Sequence, residues 1–149
     1  MRNTNLKDVL FPVEMQSILR EAAAEGRPPS PPVPVKDWCA VVDVERGYVF
    51  TVVTGNYRLV TNEEALACGK VASTRLFGSV DVERDMKVFN VITPSTRSSC
   101  YVDVIHREYR VNLWKKEVYL PYLRVTNSYN KTKALHFDLG FARELCDNG

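Results

Sequence analysis

The sequence has few residues suited to metal or thiol chemistry. Its 149 residues include four cysteines and two histidines. Zinc sites usually bring two ligands within a few residues of each other, whereas these cysteines lie 29, 32 and 46 positions apart. We therefore expect no metal site and interpret the cysteines as reduced, buried side chains. The residues concerned are Cys39, Cys68, Cys100 and Cys146, with His106 and His136.

The sequence also lacks the glycine-rich motifs that bind phosphate or present a nucleophile. G-x-x-x-x-G-K-[ST], G-x-G-x-x-G and G-x-S-x-G are all missing. It therefore predicts no catalytic residue and no cofactor. Two enzyme alternatives stay open. One pairs Cys100 with His106 as nucleophile and base; the other holds magnesium on Asp81, Glu83 and Asp85, whose spacing puts three carboxylates on one strand face. A solvated acidic loop is the competing interpretation of those carboxylates.

No long apolar run is present. A membrane span needs about 18 apolar residues, and the N-terminus lacks the apolar core of a secretory signal. Apolar residues make up 45% of the chain and charged residues 26%, which is typical of a globular domain. We expect a cytoplasmic protein with one core and no membrane partner.

Residues 1–26 have the pattern of a helical arm. Pro12 suits a first helical turn, and Met15, Ile18, Leu19 and Ala22 repeat at helical spacing. Five of the eight prolines follow within 27–35, so this segment is predicted to be an extended linker. The P-x-x-P pattern within it leaves a ligand for a partner domain as the alternative.

Residues 36–149 are predicted to form one α+β domain with an antiparallel sheet. Two helices are predicted in the chain as a whole. Strands are expected in 36–42, 47–53, 57–60, 87–93, 100–106, 118–126 and 134–139, because these segments are rich in β-branched and aromatic residues. Thr61 and Glu64 form a capping box that begins a helix running to about Thr74. Ala65, Cys68 and Ala72 are expected to face the sheet.

Positive charge is concentrated in residues 107–133, which we name the basic aromatic segment. Seven cations and two anions give it a charge of +5, and the rest of the chain sums to −3. Cations follow phosphates and aromatic rings stack on bases, so the segment predicts a site for single-stranded nucleic acid. The predicted binding residues are Arg107, Arg110, Trp114, Lys115, Lys116, Tyr122, Arg124, Lys131 and Lys133.

Two other interpretations of this segment are retained. Trp114, Tyr119 and Tyr122 could alternate into the core and leave the cations as a solvated outer face. Aromatic residues and arginine are also favoured at protein interfaces, so a module that binds or inhibits a host protein complex is the alternative function.

Two blocks of sequence resemble a known family. Tyr57-Arg58-Leu59-Val60-Thr61-Asn62-Glu63-Glu64-Ala65 is similar to the block Y-x-x-V-x-N-x-E-A. Leu123-Arg124-Val125-Thr126-Asn127-Ser128, followed by Arg143, Cys146, Asn148 and Gly149, is similar to V-x-N-S … R-x-x-C-x-N-G. Both blocks occur in the phage- and plasmid-encoded domain-of-unknown-function family nine-three-two, and the resemblance covers residues 38–149.

The resemblance implies mobile-element biology and brings no catalytic residue with it. Members usually follow Asn-Ser with His-Asp-Gly, where this chain has Tyr129-Asn130-Lys131, so a role for that histidine is not transferred. Members also continue beyond the C-x-N-G block, which implies either an N-terminal fragment or a short form. We predict a non-enzymatic phage or plasmid protein that binds single-stranded nucleic acid, with a homo-oligomer left open.

Overall fold

The computed structural model describes residues 5–21, 31–79, 81–114 and 117–143. It confirms the α+β class, with two antiparallel sheets. The elements are a 3-10 helix at Leu6–Asp8, then β1 Val13–Arg20, β2 Val33–Asp43, β3 Tyr48–Thr54, α1 Asn62–Phe77, α2 Val82–Asp85, β4 Met86–Ile92, β5 Ser99–His106, β6 Val111–Trp114, β7 Glu117–Ser128 and β8 His136–Arg143.

The chain divides into two compact units. The five-stranded unit takes the described residues within Met1–Leu10, Val60–Ser128 and Thr132–Gly149. The three-stranded unit takes those within Phe11–Leu59 and Tyr129–Lys131. Each unit has its own cluster of buried apolar side chains.

The three-stranded unit is a sheet in the order β1, β2, β3. Its core combines Val13, Val41 and Val53 with Phe11 and Tyr129. The turn from β2 to β3 follows from local chemistry. Oδ1 of Asp43 accepts hydrogen bonds from the amides of Glu45 and Arg46, as in an Asx turn.

The predicted N-terminal helix is wrong from Val13 onward, where the chain forms β1. Met15 pairs with Val41 and Ser17 with Cys39 across the sheet. The apolar spacing fitted a helix, but pairing with a distant strand overrides local periodicity. β2 begins at Val33, so the predicted linker 27–35 overlaps a strand, and residues 22–30 lie outside the described residues.

Residues 57–60 are also not a strand, contrary to the prediction. The turn at 55–56 is present, but no strand follows it. β1 is the third strand of the sheet, next to β2. Tyr57 and Leu59 pack their side chains against the core of the three-stranded unit, which explains their apolar character without strand pairing.

The five-stranded sheet is organised around β7, the longest strand described. β5 and β6 pair with one side of β7 in succession, and β8 pairs with the other side. Tyr119 shows this arrangement, because it is paired with Val111 and with Arg143. Pro121, which has no amide hydrogen, falls where the neighbouring strand changes from β5 to β6.

Helix α1 packs on β4, β5 and β7. The predicted capping box at Thr61 and Glu64 is confirmed, and the helix ends at Gly78 in a left-handed conformation. Its buried face is rotated from the predicted one, because Ala65 is buried but Cys68 is exposed. Gly69 lies against Val125 so closely that a Cβ there would overlap the valine side chain.

Candidate nucleic-acid interface

β6 and β7 form a hairpin whose end is aromatic. Trp114, the last residue of β6, pairs with Glu117, the first residue of β7. Lys115 and Lys116 lie between them in the sequence and outside the described residues. The side chain of Trp114 is 71% exposed, so it is not the core residue that the competing interpretation required.

The connection from β5 to β6 adds two arginines near this hairpin in the chain. Arg107 is exposed, and Nη1 of Arg110 donates hydrogen bonds to the carbonyl oxygens of Arg107 and Tyr109. Nδ1 of His106 accepts hydrogen bonds from the amides of Glu108 and Tyr109. These bonds tie the side chains of His106 and Arg110 to the backbone of the connection.

The ring of Tyr109 helps to fix this connection on the helix side. Its centroid lies 5.5 Å from that of Phe77 at the end of α1, and His106 packs edge-on against the same phenylalanine. Tyr109 is still 44% exposed. One short segment of the chain thus contains five exposed or half-buried residues, which we call the hairpin surface: Arg107, Tyr109, Arg110, Leu113 and Trp114.

Arg124 is differently placed, because it forms a two-point ion pair within the sheet. Its Nε and Nη2 lie 2.7 Å and 2.9 Å from the two carboxylate oxygens of Asp103. Asp103 is 3% exposed and also accepts a hydrogen bond from Asn90. The pairing raises the pKa of Arg124. The guanidinium is thus engaged by a buried carboxylate, and its main role in this geometry is to neutralise Asp103.

Tyr122 lies beside this ion pair. The Arg124 guanidinium is 5.5 Å from the centroid of the Tyr122 ring, and the ring lies across Gly140 of β8. Lys133 places its ammonium 5.3 Å from the ring of Tyr101. These contacts make a packed polar face on the sheet, opposite to the face that carries α1.

Three other side chains of the basic aromatic segment have local partners. Lys131 belongs to the three-stranded unit, where its Nζ donates to the carbonyl of Val52. Tyr129 is buried in the core of that unit. Tyr119 donates its hydroxyl hydrogen to Glu117, which raises the pKa of Tyr119. Of the predicted residues that the structure describes, Arg124, Lys131 and Lys133 are therefore engaged by groups of the protein itself.

The acidic alternative is not supported by geometry. Asp81 caps α2, Glu83 pairs with Lys70, and Asp85 accepts hydrogen bonds from Arg84 and Ser79. The bonds from Arg84 and Ser79 lower the pKa of Asp85. Asp81 thus precedes the short helix that carries Glu83 and Asp85, and the three carboxylates do not lie on one strand face. Within the described ranges, no group of three acidic, histidine or cysteine side chains could hold a metal ion.

Cys100 and His106 do not meet either. They are six residues apart on β5, which separates them by about 20 Å at the rise of a strand. Cys100 is buried, and burial raises the pKa of its thiol to about 11. Cys39 is half-buried and Cys68 is exposed, contrary to the expectation that all are buried, while Cys146 lies outside the described residues.

The asparagines of the two sequence blocks join in a buried polar cluster. Nδ2 of Asn127 donates to Oδ1 of Asn62 and to the carbonyl of Val60. Nδ2 of Asn62 donates to the carbonyl of Val9. The cluster ties three distant chain segments of the five-stranded unit together, so these two motif residues have a structural role.

Sequence reasoning missed β6 and the partner of Arg124, and it predicted the last strand over 134–139, where the structure has β8 at His136–Arg143. The alternation of Phe137, Leu139 and Phe141 was a usable strand signal, although only the fold reveals that the strand lies at a sheet edge.

Comparison with family models, with curated proteins and with solved structures found no match to this chain. No helix in the described part of the chain is both long and apolar enough to cross a membrane.

Proposed function

We propose that this chain is a non-enzymatic protein of a phage or plasmid that binds single-stranded nucleic acid through the hairpin surface. The observation that carries the proposal is Trp114, which is 71% exposed at the end of β6. An exposed indole offers a large apolar ring face with a polar N–H at its edge, which suits it to contact another molecule. A base stacked on a ring of this kind contributes about 1–3 kcal/mol.

The charge around Trp114 supports a phosphate-bearing partner. Arg107 and Arg110 precede it, Lys115 and Lys116 follow it, and Glu108 is the one anion within 107–116. Arginine and lysine contacts to phosphates release counterions and make binding sensitive to salt. Arg124 and Lys131 are left out of the proposed contact surface because the first pairs with Asp103 and the second donates to the carbonyl of Val52.

A single strand suits this surface better than a duplex. Unpaired bases offer their faces to an aromatic side chain, whereas the bases of a duplex are already stacked. The prediction is therefore a preference for single-stranded over double-stranded oligonucleotides of the same sequence.

The test is fluorescence anisotropy of a labelled oligonucleotide, titrated with the protein at three salt concentrations. Four phosphate contacts give a log–log slope of about −3, at roughly −0.7 per contact. Replacing Lys115 and Lys116 with alanine should reduce the slope to about half. The matched control is the double variant Lys36→Ala and Arg58→Ala, which removes two exposed cations of the three-stranded unit and should leave the slope unchanged.

The two tryptophans supply a second readout. Trp38 is 47% exposed on β2 and Trp114 is on β6, so Trp38→Phe leaves Trp114 as the one indole in the chain. Its fluorescence should be quenched by the single strand. Trp114→Ala should abolish the quenching and weaken binding about 5- to 150-fold, the equivalent of one stacked base, whereas Trp38→Phe should bind normally.

A protein partner remains the second candidate, because Leu113 beside Trp114 is also 44% exposed and exposed apolar side chains are common in protein interfaces. No binding of single strands at low salt would rule out the nucleic-acid proposal and favour that candidate. Binding that ignores the loss of Trp114 would place the contact elsewhere on the chain.

A further inference from the structure

β8 is an edge strand with an unusual apolar stripe. It pairs with β7 and with no other strand that the structure describes. Phe137, Leu139 and Phe141 are 40%, 52% and 47% exposed. Because strand residues alternate between faces, the three side chains lie on one face, and Phe137 identifies it as the α1 side by its closeness to Gly69.

The stripe is exposed because α1 covers other strands of the sheet. The helix packs on β4, β5 and β7, where the residues facing it, such as Val102, Val104 and Val125, are buried. The β8 residues continue this apolar face past the helix. Within the described residues, no helix buries the side chains of Phe137, Leu139 and Phe141.

β8 has fewer of the protections of a free edge than β4 has. Proteins block edge strands with charged side chains, above all lysine, with proline or with a bulge. β4, at the other edge of the sheet, carries Lys87 and a register shift between Val88 and Asn90. β8 contains no lysine or proline, and its register with β7 is unbroken over eight pairs. Its two charged side chains, Asp138 and Arg143, contact His136 and Glu117. Its backbone groups are thus suitable for pairing with another strand.

We propose that β8 pairs antiparallel with β8 of a second copy of this chain, with Leu139 opposite Leu139. The alternation of the strand restricts the possible registers. An antiparallel pairing keeps the apolar side chains on one face only if odd positions oppose odd positions. Centring on Leu139 places Phe137 opposite Phe141 of the second copy, and Phe141 opposite Phe137, so all three apolar residues are matched.

The polar face is compatible with the same register. Asp138 is then opposite Gly140 of the second copy, and His136 is opposite Ala142, so no like charges are directly opposed. Centring on Asp138 would oppose two carboxylates, which is destabilising. Centring on Gly140 would oppose Phe137 to Arg143. The pattern is therefore self-complementary about Leu139, as a two-fold interface requires.

The first test is the mass of the protein in solution, measured by light scattering and sedimentation over a wide concentration range. We expect a dimer in equilibrium with a monomer. Leu139→Lys and Leu139→Glu should each be monomeric, because each opposes like charges at the two-fold axis. An equimolar mixture of the two variants should regain the dimer. The matched control is Val49→Lys, at an exposed position on the edge strand β3, which should dimerise normally.

Circular dichroism of each variant confirms that it is folded. A cross-linking test reads the register directly: Leu139→Cys should form a disulfide-linked dimer under mild oxidation, while Asp138→Cys should remain at the wild-type background. A wild-type protein that is monomeric at every concentration would overturn the inference. So would folded Leu139→Lys and Leu139→Glu variants that still form homodimers. Neither outcome depends on nucleic acid, so the result is separate from that of the proposed function.

Discussion

Asn127 and Asn62 are 65 positions apart in the chain, and their side chains are joined by a buried hydrogen bond of 2.9 Å. The bond connects the end of β7 to the first residue of α1. Both side chains are almost fully buried. A buried amide that loses its partner keeps the cost of its desolvation, so this pair should respond strongly to substitution.

The first prediction concerns this asparagine pair. Asn127→Ala and Asn62→Ala should each lower the free energy of unfolding by about 1–3 kcal/mol, because each leaves a polar group buried without its partner. The double variant should cost less than the sum of the two, since side chains in contact are coupled. Urea denaturation measures all three. Asn112→Ala, at an exposed position on β6, should change the stability by less than about 0.5 kcal/mol; additive costs would mean that the two asparagines act separately.

The second prediction concerns the contact between Tyr122 and Gly140. A Cβ on Gly140 would come within 2.7 Å of Cε2 of the tyrosine and closer still to Cζ. Gly140→Ala should therefore destabilise the protein by about 1–3 kcal/mol through overpacking. Thermal unfolding of Gly140→Ala should show this loss in the wild-type background and little of it in Tyr122→Ala. Gly55→Ala is the control, because a Cβ there meets nothing closer than 4.0 Å; an equal effect at both glycines would contradict the packing explanation.

The third prediction compares two arginines in ion pairs. Arg124→Met leaves the carboxylate of Asp103 buried without its cation and should cost about 3–5 kcal/mol. Arg143→Met breaks the pair with Glu117, whose members are 57% and 38% exposed, and should cost at most about 1 kcal/mol. Chemical denaturation of both variants makes the comparison. Changing Asp103 to Asn together with Arg124→Met should recover part of the loss, and a failure to do so would show that the arginine acts mainly through its packing on Tyr122.

The fourth prediction concerns the thiols. Cys68 is exposed and should react quickly with a thiol reagent, whereas Cys100 should react only when the protein unfolds. Cys68→Ser should remove one fast-reacting thiol, and Cys100→Ser should leave the fast-reacting count unchanged. A rapid reaction at Cys100 in folded protein would contradict the burial that the structure assigns to it.

The same thiol gives a pH dependence with a definite sign. Burial raises the pKa of Cys100 to about 11, above the ordinary value of about 8.5. Between these values the unfolded chain loses the proton while the folded chain keeps it, so stability falls as the pH rises through this range. Cys100→Ala should flatten the alkaline part of the stability profile. An unchanged profile would assign the alkaline loss to other groups.

Much of the fold could be predicted where the signals are local. The capping box of Thr61 and Glu64 identified the start of α1, and the alternation in 100–106 and 118–126 identified β5 and β7. The helix expected over Met15 and Leu19 was wrong because β1 depends on its pairing with β2. That pairing lies in distant residues and leaves no mark in the local spacing.

The candidate site could be predicted only in part, for a similar reason. Residue type suggested Arg124 as a phosphate contact, but its partner Asp103 lies 21 positions away on another strand. The exposure of Trp114 could not be inferred, because the sequence of β6 does not show which of its side chains point toward the core and which toward solvent. Which cations face a buried carboxylate is decided by strand register, and register is a property of the whole sheet.

Tyr129 also bears on how the chain can be made and divided. Its ring packs against Phe11 and Phe50 in the three-stranded unit, more than a hundred positions after Phe11. During synthesis, β1, β2 and β3 leave the ribosome long before this side chain exists. The core of that unit is therefore completed late, and a fragment that ends after Leu59 lacks a central aromatic side chain. Any separation of the two units for study must carry Tyr129 along with the N-terminal strands.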